Sequence, residues 1–183
     1  MAGPVKHKAV FLDRDGVINR KLPEDLYVTN HEEFELLPGV RAALSIFSQL
    51  GYLLVIVTNQ RGIARGLMDE KDLLDVHGHM KEKLSERGIK LDGLYYCPHD
   101  RDEGCECRKP RPGMILNAAR DLNVDMEQSF MVGDSDSDMA AARNAGVRAV
   151  RISEHKDSEA YLTFPSLLDF ARYLETLAHR EKK

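Results

Sequence analysis

Apolar residues recur along this chain in two rhythms. Short apolar and β-branched runs occur at Lys8–Leu12 (KAVFL), Leu53–Thr58 (LLVIVT), Leu94–Tyr96, Ser129–Val132 (SFMV) and Ala149–Ile152 (AVRI). Each is too brief for a helix and apolar on both faces, which is the pattern of a buried parallel strand covered on both sides. Between the runs the spacing widens to three and four. Pro38 to Leu50 keeps Val40, Leu44, Phe47 and Leu50 near one face, and helices are predicted again over Asp69–Arg87, Gly113–Leu122 and Asp136–Ala145, the last closed by Gly146. Ser166 to Arg180 is amphipathic at helical period, and the closing HREKK is expected to fray. Strand and helix in alternation predict an α/β fold with a central parallel sheet. No repeat or low-complexity linker interrupts it, so a single domain over residues 1–183 is expected.

Composition narrows the function. A chain of 183 residues, 43% hydrophobic, can bury a substantial core. Its net charge of −4 carries no basic footprint for nucleic acid. No stretch approaches the ~20 apolar residues that span a bilayer, and the first eight residues lack an apolar leader, so no membrane partner and a cytoplasmic location are expected. The three cysteines all fall between positions 97 and 107. Odd in number and clustered, they point to a metal rather than to disulfides.

In open parallel sheets ligands sit outside the carboxyl ends of the strands. There this sequence gathers its unusual residues: Asp13-Arg14-Asp15-Gly16 after the first run, Thr58-Asn59-Gln60 after the second, and Gly133-Asp134-Ser135-Asp136-Ser137-Asp138 after the fourth, with Arg108-Lys109-Pro110 shortly before. Each piece alone has an ordinary use as a turn or, for Asp136, a helix N-cap. Together they gather five acids, a hydroxyl, an amide and two cations on one edge, more than turns and caps require. A carboxylate at a strand end can attack phosphorus and split one hard hydrolysis into two steps, the role expected of Asp13. Asp15, two residues on, can protonate the departing alkoxide and later activate water. Gly16 is expected to turn the backbone tightly beside the phosphate. Asp13, the Asp15 carbonyl and Asp134 make a plausible Mg²⁺ set, since that ion takes few carboxylates plus waters and phosphate.

DRDGVIN, VTNQ, CRKPRPG and GDSDSDM, in that order, resemble the four motifs of the haloacid dehalogenase-like (HAD-like) phosphatases over about Lys8 to Ile152. The resemblance implies a three-layer, Rossmann-like HAD-like fold, with Asp134 as a metal ligand and Asp138 as a supporting acid. Lys109 would neutralise charge on the transferring phosphoryl, and Thr58 and Asn59 would donate hydrogen bonds to it. Asn19 and Gln60 join the expected substrate contacts. VTNQRGIARG together with YYCPH…CECRKPRPGM is similar to the heptose bisphosphate phosphatases and the related histidinol phosphatases.

Cys97, His99, Cys105 and Cys107 supply the Cys₃His donors that suit tetrahedral Zn²⁺. Four protein ligands leave no open position, so this zinc is expected to be structural, stabilising the loop that leads into Arg108 and Lys109. The spacing leaves no room for a separate cap domain, so an open site for a small phosphorylated metabolite is expected, in a monomer. Arg61, Arg65 and Arg108 are candidates for a second phosphate, which favours a sugar bisphosphate. The segment Arg20 to Leu26, longer than in the heptose enzymes, resembles the histidinol phosphatases instead. The expected activity is hydrolysis of the 7-phosphate of D-glycero-D-manno-heptose 1,7-bisphosphate, with histidinol phosphate as the alternative substrate and a non-catalytic zinc-containing binding module as the alternative of another class. His77 and His79 are expected on the surface, and Met114, Met126, Met131 and Met139 in the core.

Overall fold

The computed structural model describes residues 5–180. Strands β1 (Ala9–Leu12), β2 (Leu53–Asn59), β3 (Gly93–Cys97), β4 (Phe130–Gly133), β5 (Arg148–Ile152) and β6 (Leu162–Phe164) form one sheet in the order β3-β2-β1-β4-β5-β6. Every pairing in it is parallel. Helices α1 (Val40–Gln49), α2 (Glu70–Ser85), α3 (Gly113–Asp121), α4 (Asp136–Ala145) and α5 (Leu167–Arg180) make the crossovers and the tail.

The layering follows from the strand period of two. Val10, Leu12, Leu54 and Ile56 point to one side, where they join Phe47 of α1, Met80 of α2 and Phe170 of α5 in one buried cluster. Ala9, Phe11, Val55 and Val57 point to the other, against Ile115 and Ala118 of α3 and Ala141 and Ala142 of α4. Helices therefore sandwich the sheet, giving the expected three-layer α/β architecture. The helix ends are specified locally. Asp69 caps α2 by accepting from the Asp72 amide, and Gly146, at φ +75°, closes α4 in the left-handed region that favours glycine.

The five expected strands and five expected helices all form, and β6 is additional. It is a three-residue edge strand, half-buried throughout, and offers neither a run nor an alternation to read. The stretch between β1 and α1 holds only one turn of 3₁₀ helix, His31–Glu33, so no cap domain intervenes among the described residues. Of HREKK, expected to fray, His179 and Arg180 complete α5, and the remaining three residues lie outside the described residues. No helix is long and apolar enough to cross a membrane.

Two expectations change. His77 is not a surface residue but 2% exposed, because position 77 falls on the buried stripe Leu73, Val76, Met80 and Leu84. Met126 is only half-buried, whereas Met114, Met131 and Met139 are in the core. The ordinary N-cap use open to Asp136 is taken by Ser135 instead, and Asp136 turns outward to Arg151 at 3.0 Å.

Candidate active site

β1 lies between β2 and β4, with Leu12 beside both Ile56 and Val132. The residues that follow therefore emerge at the centre of the sheet's carboxyl edge, where the strand order reverses. Asp13 is held there by its own amide, which donates to the Val132 carbonyl at 2.9 Å. Lys109 reaches it from the segment before α3. Its Nζ lies 2.8 Å from Asp13 Oδ1, 2.6 Å from Asp138 Oδ1 and 2.8 Å from the Val57 carbonyl. Lys109 is 3% exposed and Asp138 is fully buried, so this ammonium is shared by two carboxylates in a nearly dry site. Burial pushes the Asp13 carboxyl up to about 7, Asp138 and Asp15 adding to the rise while Lys109 opposes it. Burial alone would lower Lys109; Asp13 and Asp138 outweigh it and hold the amine above its ordinary value.

Asp138 also accepts from the Ser135 amide at 3.0 Å and the Ser135 hydroxyl at 2.6 Å, so the first turn of α4 aims it at Lys109. Asn59 fixes the lysine from the other side: its Oδ1 accepts from the Lys109 amide at 3.0 Å and its Nδ2 donates to the Lys109 carbonyl at 3.1 Å. Asp134 completes the floor. A Cβ on Gly16, whose φ is +92°, would lie 2.4 Å from Asp134 Oδ2. What Gly16 makes room for is thus the Asp134 carboxylate, a group that glycine at this φ lets approach.

Asp13, Asp134 and Asp138 bring carboxylate oxygens within 4.8 Å of one another. Asp134 Oδ1 is buried with no hydrogen bond among the described residues, while its Oδ2 meets Lys21 at 2.6 Å. Burial raises the Asp134 carboxyl against the pull of Lys21. An all-oxygen donor set with a buried, unpartnered carboxylate oxygen fits a hard cation such as Mg²⁺.

Asp15 is turned a different way. Its Oδ1 accepts from Arg14 Nη2 at 3.0 Å and Asn19 Nδ2 at 2.9 Å, and its Oδ2 from Arg14 Nη2 at 3.0 Å and Gln60 Nε2 at 3.0 Å. Burial works to raise its pKa, but Arg14, Asn19 and Gln60 together hold it below the ordinary carboxylate value. Asn19 and Gln60, expected among the substrate contacts, spend their amides on Asp15, and Gln60 Nε2 also lies 2.9 Å from Thr58 Oγ1. The reason is burial: Asn19 is fully enclosed and Gln60 and Thr58 are 1% exposed.

Next to this centre the Sγ atoms of Cys97, Cys105 and Cys107 and His99 Nδ1 converge. Cys97 Sγ lies 3.1 Å from Cys107 Sγ, 3.6 Å from Cys105 Sγ and 3.4 Å from His99 Nδ1. A zinc at ~2.3 Å from each thiolate sets sulfur–sulfur edges of roughly 3.8 Å, so the four donors stand close to the size of a zinc tetrahedron. The loop is tied to the site through Arg108, whose Nη1 donates to the His99 carbonyl at 3.1 Å.

A cavity of about 470 Å³ opens over the centre, walled by Asp13, Asp15, Asp134 and Lys109 below and by Lys21 to Val28, Arg101 and Arg108 around the rim. Arg108 faces it. Arg61 and Arg65, the other two candidates for a second phosphate, do not line it. Arg65 Nη1 is committed to Asp25 Oδ1 at 2.6 Å, and Arg61 to Asp100 Oδ1 at 2.5 Å, with Asp25 at 3.7 Å. They tie the 20–28 segment and the cysteine loop together. Sequence reasoning passed over Lys21, Arg101, Arg14 and His77. For His77 a signal existed: a polar residue at a core position of the α2 stripe.

The HAD-hydrolase-like family model matches residues 106–175. A D-glycero-β-D-manno-heptose-1,7-bisphosphate 7-phosphatase of Vibrio cholerae is 43% identical over 180 residues, covering 91% of this chain and 95% of the relative. The enzyme of that name from Photorhabdus laumondii is 47% identical over 146 residues, 76% of each chain. The D,D-heptose 1,7-bisphosphate phosphatase of B. bronchiseptica, solved with magnesium and phosphate, superposes with a TM-score of 0.84 at 35% identity, covering 92% of this chain and 98% of that one. Identity of 43% over 91% of the chain shows that the chain belongs to the heptose bisphosphate phosphatase family of the HAD-like hydrolases.

Proposed function

We propose that this chain, as one monomeric cytoplasmic domain, hydrolyses the 7-phosphate of D-glycero-β-D-manno-heptose 1,7-bisphosphate. The observation that carries the reading is the buried Lys109 ammonium shared by Asp13 and Asp138 beneath the open cavity. An attacking carboxylate beside a fixed cation is what in-line transfer of a phosphoryl group needs.

Asp13 Oδ attacks phosphorus, and the bond to the sugar oxygen breaks to leave an aspartyl phosphate. Asp15 passes a proton to the departing oxygen, then takes one from the water that hydrolyses the intermediate. Its donors Arg14, Asn19 and Gln60 stabilise the carboxylate form, the form needed for the second half. The negative charge of an arriving phosphate favours the protonated form needed for the first. Lys109 neutralises charge on the phosphoryl oxygens, and Asp138 and Asn59 keep it aimed. Asp13 and Asp134, with the Asp15 carbonyl, would hold Mg²⁺, which supplies further neutralisation when bound. Cys97, His99, Cys105 and Cys107 would hold Zn²⁺ in a closed structural site that orients Arg108 and Lys109.

Arg108 and Arg101 on the cysteine-loop side of the rim would receive the distal phosphate. Histidinol phosphate carries a cationic distal end that this side of the rim disfavours. The names of the Vibrio and Photorhabdus relatives support the β-anomer. Turnover of the two heptose bisphosphate anomers and of histidinol phosphate, followed by phosphate release with Mg²⁺ present, tests the reading. The β-anomer should have the highest kcat/KM, and preference for histidinol phosphate would overturn the proposal.

A further inference from the structure

Arg14 is the largest fully buried side chain among the described residues, and the reaction steps above do not use it directly. Its guanidinium is gripped from two sides. Nε and Nη2 bind the Asp15 carboxylate at 3.0–3.3 Å, and Nη1 lies 3.3 Å from His77 Nε2. Guanidinium has no acceptor, so at this contact Arg14 must donate and His77 Nε2 must accept, which places the imidazole proton on Nδ1. Nδ1 is buried without a hydrogen-bond partner among the described residues. A histidine kept there at the expense of an unsatisfied N–H, on a stripe that Leu or Met would fill, is poorly explained as core packing.

We propose that His77 is a positioning residue for the proton-transfer group: the hydrogen bond accepted at its Nε2 fixes the plane of the Arg14 guanidinium, and that plane fixes where the Asp15 carboxylate stands. A planar fork held at one nitrogen cannot pivot, so the opposite edge presents the carboxylate at one angle. Asn19 and Gln60 then steady its two oxygens. α2 is held at its start by the Asp69–Asp72 cap, and the His77 ring packs 6.0 Å, centre to centre, from Tyr96 on β3. A helix outside the strand-end motifs thereby sets the aim of a group at the phosphate. This inference rests on Asp15 as the group that protonates the leaving oxygen, and it goes beyond that by naming what orients it.

The test compares His77→Leu, which fills the stripe but accepts nothing, with His77→Gln, whose Oε1 can replace Nε2, after circular dichroism shows both folded. Two esters are used: heptose bisphosphate, whose alkoxide needs a proton to depart, and p-nitrophenyl phosphate, whose phenolate does not. In single turnover, followed by release of the alcohol or phenol so that only the first half-reaction is read, His77→Leu should lower the rate on the alkyl ester roughly ten- to a hundred-fold, with KM within about two-fold and under about a three-fold loss on the aryl ester. His77→Gln should restore most of the loss. Equal losses on both esters, a loss confined to KM, or no rescue by Gln would overturn the proposal. If the wild type does not turn over heptose bisphosphate, the substrate reading fails by itself, and the same comparison is run on the alkyl phosphate it does hydrolyse. A readout independent of turnover is the Arg14 Nε–H resonance, which should be protected from exchange in the wild type and in His77→Gln and lose that protection in His77→Leu. Unchanged protection in His77→Leu would equally refute it.

Discussion

Acid should weaken this fold through His77 in a way that can be calculated. The imidazole is 2% exposed; burial, with repulsion from Arg14, lowers its pKa to about 3, although Asp15 pulls the other way. In the unfolded chain it titrates near its ordinary value of 6.5. The folded state therefore binds fewer protons than the unfolded state below pH 6.5. The stability tied to the neutral ring is fully present above that pH and is lost as pH falls towards 3. Each pH unit below 6.5 costs about 1.4 kcal/mol, so acidification from pH 7 to pH 5 costs about 2 kcal/mol from this residue. For a chain of this size that is roughly 4–8 °C in Tm. The span lies well above the folded-state value, so the cost over it is set by the unfolded imidazole alone. Urea unfolding followed by circular dichroism at half-unit steps from pH 7.5 to 5, on wild type and His77→Gln, isolates the effect from the carboxylates common to both. The wild type should lose about 2 kcal/mol more than the variant across the range. Parallel stability curves, or a folded-state His77 imidazole resonance titrating near pH 6.5, would refute the burial argument.

Three further outcomes follow from the site. Asp13→Asn should abolish turnover with the fold intact, because the amide cannot attack phosphorus, and Asp15→Asn should slow turnover by roughly 10²-fold or more; steady-state phosphate release checks both. EDTA followed by Mg²⁺ should switch activity off and on, while zinc, measured by elemental analysis, should stay with the reduced protein through mild dialysis. Metal-free protein after purification under reducing conditions would refute the Cys₃His site. Arg108→Ala should raise KM for a bisphosphate about ten- to a hundred-fold more than for a monophosphate, whereas Arg65→Ala, which frees Asp25, should change KM on both alike.

The sequence by itself determined the elements and the chemistry at their ends. Apolar runs and three-four spacing are local signals, so five strands, five helices and their parallel arrangement could be read, and with them the carboxyl edge where Asp13, Thr58, Lys109 and Asp134 meet. The four donors of the cysteine loop were legible for the same reason, since they lie within 11 consecutive positions, 97 to 107. β6 was not, because a three-residue edge strand is specified by its neighbour β5 rather than by its own pattern. Only the tertiary structure decided how the charges pair. Arg61 and Arg65 read as free phosphate ligands until the 20–28 segment folds back and places Asp25 against them, about 40 positions away in the chain. Asp15 and Arg14 are neighbours in sequence, yet the partner that fixes Arg14 lies 63 positions on, across a helix. A buried charge must be matched by whatever the packing brings near, and that depends on contacts between distant segments, which strand and helix periodicity does not encode.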